Sequence, residues 1–78
     1  MDEFTRITHN PAVMGGKPCI RGMRVTVGMI LAQLGAGQSI DSLLDDSPYL
    51  EREDIMQAMS YGAWLASGGD IFPESASF

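Results

Sequence analysis

The sequence predicts a mainly α domain, with a short β-hairpin at its N-terminal end and three helices behind it in helix-turn-helix order. Three observations carry this reading. Alternating apolar and polar residues precede Pro11, apolar residues at helical spacing run from Val27, and Ser-Pro and Gly-Gly breaks divide the helical part. With 78 residues there is room for one domain and not for two.

Each element has a local cause. Phe4-Thr5-Arg6-Ile7-Thr8 alternates with β-branched residues and reads as a half-buried strand, and Asn10-Pro11 marks the turn after it. Lys17-Pro18-Cys19-Ile20 reads as a second strand. Proline cannot donate to a ladder, so this strand either lies at an edge or starts at Pro18. The hairpin region spans residues 4–25. Thr26 then caps a first helix over about 27–36, with a stripe of Val27, Ile30, Leu31 and Leu34 and a stop at Gly35 or Gly37. Ser39 caps a short second helix over 40–46 carrying Ile40, Leu43 and Leu44, and Ser47-Pro48 ends it. A third helix runs over 51–66, before Ser67-Gly68-Gly69. Residues 1–66 thus make one domain, and 67–78, which lack any periodicity, are expected to be a flexible tail.

Composition excludes several classes of function. Cys19 is the only cysteine and His9 the only histidine, so neither an internal disulfide nor a closed zinc site can form. A Cys19–His9 pair, the adjacent acids Asp45 and Asp46, and Gly15-Gly16-Lys17 each lack the spacing that catalysis, a metal or a phosphate loop requires. The chain is expected to be non-enzymatic and to use no cofactor. Its acidic start and the lack of a long apolar run predict no signal peptide, no membrane span and a cytoplasmic location.

Charge divides the chain. Up to residue 30, Arg6, Lys17, Arg21 and Arg24 outweigh Asp2 and Glu3. Beyond it Arg52 stands alone against Asp41, Asp45, Asp46, Glu51, Glu53, Asp54, Asp70 and Glu74. The third helix therefore opens with three carboxylates around one arginine, which suits its dipole but repels a DNA backbone. If DNA is bound, Arg6, Lys17, Arg21 and Arg24 of the hairpin are the candidate contacts; the rival role, for Lys17 and Arg24, is pairing with acids of the second half. The third helix is also apolar nearly all round, and a small core cannot cover every side of it. Met56, Tyr61 and Trp64 are therefore candidates for a homodimer or partner interface, with Ile71 and Phe72 of the tail as further anchors.

The motif Pro11-x-Val13-x-x-Gly16-Lys17-Pro18-x-Ile20-x-Gly22-x-Arg24-Val25-x-Val27 resembles the N-terminal signature of the bacterial domain-of-unknown-function family numbered 433. The resemblance continues through Leu31, Leu34, Gly37, Ser39-Ile40, Leu43-Leu44, Pro48-x-Leu50-x-x-Glu53-Asp54-Ile55, Ala58 and Tyr61, covering about residues 6–66. Met23, Ser47 and Glu51 depart from its usual residues. The family is similar to VapB-type antitoxins, with a homeodomain-like three-helix domain behind a hairpin arm. The resemblance implies a protein that neutralises a PIN-like ribonuclease toxin and that represses its own operon by binding operator DNA. The expected function is thus a non-enzymatic antitoxin acting as a homodimer. The alternatives are a DNA-binding transcriptional regulator without a toxin and a plain dimerisation module.

Overall fold

The computed structural model describes residues 4–68. Strand β1 (Ile7–Thr8) pairs antiparallel with β2 (Cys19–Ile20), placing Ile7 opposite Ile20 and Thr8 opposite Cys19. β1 is shorter than its alternation suggests because the chain turns before it, with the Ile7 N–H donating to the Phe4 carbonyl at 3.1 Å. β2 starts directly after Pro18 and is not an edge strand. On its other side the Ile20 N–H donates to the Val25 carbonyl at 2.9 Å, and Cys19 bridges to Thr26. Of the two placements open to this strand, the start at proline is the one adopted.

Between these partners the chain reverses through Arg21 and Gly22, with φ of 47° and 75°, and the Met23 N–H donates to the Ile20 carbonyl at 2.8 Å. Two successive positive φ values are the signature of a type I′ turn, in which glycine is at ease and arginine is uncommon. Arg21 is thereby set at the tip of a tight reversal.

The helices follow their caps. Helix α1 (Val27–Gly35) begins where the Thr26 hydroxyl accepts from the Met29 N–H at 3.0 Å. Helix α2 (Ile40–Asp46) begins where the Ser39 hydroxyl accepts from the Ser42 N–H, also at 3.0 Å. Helix α3 (Arg52–Ala66) begins where the Glu51 N–H donates to the Asp54 carboxylate at 2.8 Å. All three lie within a residue or two of their sequence-based bounds.

Val27 and Ile30 of α1, Leu43 of α2, and Ile55, Ala58 and Tyr61 of α3 form the core with Ile20 and Leu50. The broadest helix contact is between α1 and α3. It depends on Gly62, where a Cβ would lie 2.7 Å from Leu31 Cδ1, so the two helices meet closely at that point. The all-round apolarity of α3 has an explanation within the chain. One side faces α1, and another is covered by the segment before β1, where the Phe4 ring stands edge-on to Tyr61 at 5.2 Å and beside Trp64 at 5.8 Å.

Candidate functional site

Two of the residues that the sequence singles out, Arg6 and Arg21, converge on the N-terminal end of α3, in an arrangement the sequence reading did not contain. Asp54 sits at the third position of α3, and its side chain is fully buried. A buried carboxylate must be hydrogen-bonded and charge-paired, or it will take up a proton. Here both arginines of the hairpin reach it. Arg21 grips it with two bonds, Nε to Oδ1 at 3.1 Å and Nη2 to Oδ2 at 2.8 Å, and Arg6 Nη1 donates to Oδ1 at 3.0 Å. The same Arg6 nitrogen meets Glu51 Oε1 at 2.6 Å, and Arg21 Nη2 also donates to the Tyr49 carbonyl at 2.9 Å. Gln57, one turn further along α3, accepts from the Arg6 backbone N–H at 2.9 Å. The hairpin is therefore clasped to α3 and does not project as a free arm.

Burial on its own would push the Asp54 carboxyl up. The hydrogen bonds from Arg21, from the Glu51 N–H and from Arg6 outweigh it and hold the group below the usual carboxylate range. The same contacts hold Arg6, through Glu51 and Asp54, and Arg21, through Asp54, firmly in their charged forms.

This geometry changes the roles of the four hairpin cations. Arg6 and Arg21 are engaged within the molecule, whereas Lys17 and Arg24 make no ion pair among the described residues. The pairing with acids of the second half expected of Lys17 and Arg24 is made instead by Arg6 and Arg21, whose side chains reach the start of α3. Arg24 instead lies beside Met14, with Nη1 to Sδ at 3.8 Å. Arg52 pairs with Asp41 of α2, closing the surface between the starts of α2 and α3.

The interface candidates separate as well. Tyr61, expected at an interface, is in the core, 7% exposed, with its hydroxyl 3.0 Å from His9 Nε2. Trp64 is half-buried against Phe4 and Tyr61, whose ring centroid lies 5.6 Å away. Met56 is exposed. Ile71 and Phe72 lie outside the described residues. Cys19 is buried, and among the described residues no group of three potential metal ligands comes together. No helix among them is long and apolar enough to cross a membrane.

Sequence reasoning missed Asp54 by reading it with its neighbours as one acidic turn that complements the helix dipole. A signal was present: Glu51-x-x-Asp54 has the spacing of a reciprocal cap, which turns the acid at the third position back toward the helix start.

A hairpin clasped to the last helix of a three-helix unit defines a small helix-turn-helix-type module. The family model for DUF433, a protein of unknown function, matches residues 7–62, and the chain belongs to that family. A crystal structure of a DUF433 member from Anabaena variabilis superposes with a TM-score of 0.75 at 31% identity, over 83% of this chain and 64% of that one. An uncharacterized protein of Sinorhizobium fredii, y4eO, is 38% identical over 55 residues, which is 70% of this chain and 25% of that protein. The chain thus spans a quarter of the length of this curated relative.

Proposed function

We propose that this protein is a non-enzymatic antitoxin that binds and neutralises a PIN-like ribonuclease toxin. The observation that carries the reading is the sign and setting of the surface at the starts of α2 and α3. Asp41, Arg52 and Glu53 are exposed there, and Met56 follows Glu53 by three residues and Arg52 by four, so it shares their side of α3. Asp45, Asp46 and Glu51 add further exposed acid nearby in the chain. A ribonuclease must attract a polyanion, and an acidic surface with an apolar anchor complements such a partner. No free Lys or Arg stands on α3 to enter a carboxylate-rich metal centre, so inhibition proceeds by covering the RNA path.

Self-association belongs to the same proposal, with exposed Met56 and half-exposed Trp64 as its contacts. Autoregulation through operator DNA draws on Lys17 and Arg24, the hairpin cations outside any described ion pair; Arg6 and Arg21 already serve Asp54.

Co-expression with a PIN-like ribonuclease encoded beside this gene tests the proposal. We expect co-purification and loss of RNA cleavage, both weakened by Met56→Arg and by Glu53→Lys. Full ribonuclease activity in the presence of excess protein would exclude the antitoxin role. Operator binding abolished by Lys17→Ala and Arg24→Ala without any toxin contact would favour the regulator.

A further inference from the structure

Two cavities lie side by side along α1. The larger is an open apolar hollow of about 580 Å³, whose lining includes Met14, Lys17, Met29, Leu31 and Leu65. The smaller, of about 130 Å³, lies between the hairpin, α1 and the connection from α2 to α3. Its lining includes buried Leu43 and Leu50 together with exposed Arg24, Met29 and Tyr49. Met29 belongs to both cavities, and Arg24 links them by its contact with the Met14 side chain. The two therefore form one face, with Arg24 and Met29 as the wall between them.

That face is unusual in both hydropathy and charge. Met29, Tyr49 and Leu65 are three of the four large apolar side chains that the described residues leave exposed. A cluster of this kind marks a binding surface, and methionine, tyrosine and arginine are the side chains that binding surfaces favour. Lys17 and Arg24 are the two cations outside any ion pair among the described residues, and both stand here. No acidic side chain of the described residues lines either cavity. On a chain of net charge −5 this is a local reversal of sign. A DNA backbone would use the two cations and leave the apolar lining wet. An acidic peptide with apolar anchors uses both.

We propose that this face binds an acidic segment of a partner protein, with one apolar anchor in each cavity, a carboxylate between the anchors on Arg24, and a second carboxylate on Lys17. The surface shares no residue with the acidic one at the starts of α2 and α3, and the inference does not rest on the antitoxin reading. It does share Lys17 and Arg24 with the operator role, so a bound segment and DNA exclude each other.

Selection of a random peptide library displayed on phage against the immobilised full chain tests this. Enriched sequences are expected to carry an Asp or Glu with a large apolar residue on either side. A synthetic peptide of the enriched sequence should lose at least about tenfold in affinity to Arg24→Glu and to Met29→Glu, and nothing to Met56→Arg. Selection repeated on the Lys17→Glu, Arg24→Glu double variant should return basic sequences in place of acidic ones, which a misfolded variant would not do. Enriched peptides without an acid, or affinity indifferent to Arg24→Glu, would overturn the proposal. So would an empty selection accompanied by a wild-type dimer that Met29→Glu dissolves in sedimentation, since a second copy would then cover the face. An empty selection with duplex DNA bound through Lys17 and Arg24 would assign the two cations to nucleic acid and overturn it equally.

Discussion

The two ends of α3 are fastened by different chemistry. At its start Asp54, buried and charged, takes hydrogen bonds from Arg6, Arg21 and the Glu51 N–H, and the polar side chain of Gln57 adds a bond one turn later. Further along, Ala58, Tyr61 and Gly62 press against apolar side chains of α1 and the N-terminal segment, and Gly62 lets Leu31 approach closely. The polar end is directional and tolerates little: each donor is aimed at one of two oxygens. The apolar end is a matter of fit, where volume counts and orientation counts less. The arginines thus add a polar clasp to the packing of Ile20 against the helices, while α1 and α3 are held to each other by packing.

The largest expected effect breaks the polar end. Asp54→Ala leaves two guanidinium groups facing an empty site and the Glu51 N–H without its acceptor. Removing one member of a buried charge pair typically costs ~3–5 kcal/mol, which is as much as a core of this size usually supplies. We expect the variant to be largely unfolded at 25 °C by circular dichroism. A urea midpoint within experimental error of the wild type would show that the clasp contributes nothing.

The apolar end is probed at Gly62. A β-branched side chain there must displace Leu31 and overpack the crossing, and Gly62→Val should cost ~1–3 kcal/mol in urea unfolding. Gly62→Ala should be close to neutral. The clash is with the far end of one leucine, which can turn aside, and removing a mid-helix glycine returns up to ~1 kcal/mol of helix propensity. Equal losses for the two variants would mean that the backbone, not Leu31, is the obstacle.

A smaller effect tests how much direction matters in the clasp. Lysine keeps the charge of Arg21 but cannot reproduce its two-point grip on Asp54 together with the bond to the Tyr49 carbonyl. Arg21→Lys should melt below the wild type and above Arg21→Ala, whereas Arg24→Ala, which breaks no described ion pair, should melt with the wild type. For the same reason a loss of DNA binding in Arg21→Ala would report on folding as much as on contact. If Arg21→Lys matches the wild type, charge alone holds the hairpin.

The same contrast explains what was legible in the sequence. Fitted elements announce themselves: Thr26 and Ser39 sit just before apolar stripes, and α1, α2 and α3 follow with nearly the expected bounds. The family resemblance was legible for the same reason, since its motif is a string of turn and cap residues. The clasp is not local. Its partners are separated by 48 and 33 positions, and nothing in Arg6 or Arg21 alone distinguishes a cation aimed inward from one aimed at solvent. The aim of Arg21 depends on a positive φ that arginine seldom adopts, so no propensity foretells it. All-round apolarity alone puts Tyr61 on an outer face of the third helix, whereas in the structure the segment carrying Phe4 is a turn that folds over that ring.

Acid sharpens the comparison most finely, because the buried carboxylate of Asp54 lies at one end of α3. In the unfolded chain Asp54 has an ordinary pKa of about 3.9. In the folded protein the group is held lower: burial opposes its charge, but the bonds from Arg21, the Glu51 N–H and Arg6 prevail. A depressed folded pKa means that the ionised carboxylate stabilises the fold fully above the unfolded value, and that this contribution disappears as pH falls through the folded one. In Arg21→Lys the carboxylate loses its two-point donor, so its folded pKa rises toward 3.9 and the acid-sensitive contribution shrinks. Urea midpoints for the two proteins should therefore differ by a constant amount at pH 5–7 and converge below about pH 4. Gly62→Val, which alters the apolar end alone, should stay below the wild type by the same margin across that range. A gap for Arg21→Lys that persists undiminished at the lowest pH would mean that Arg21 stabilises the protein through its turn geometry and its bond to Tyr49, with no part played by the charge on Asp54.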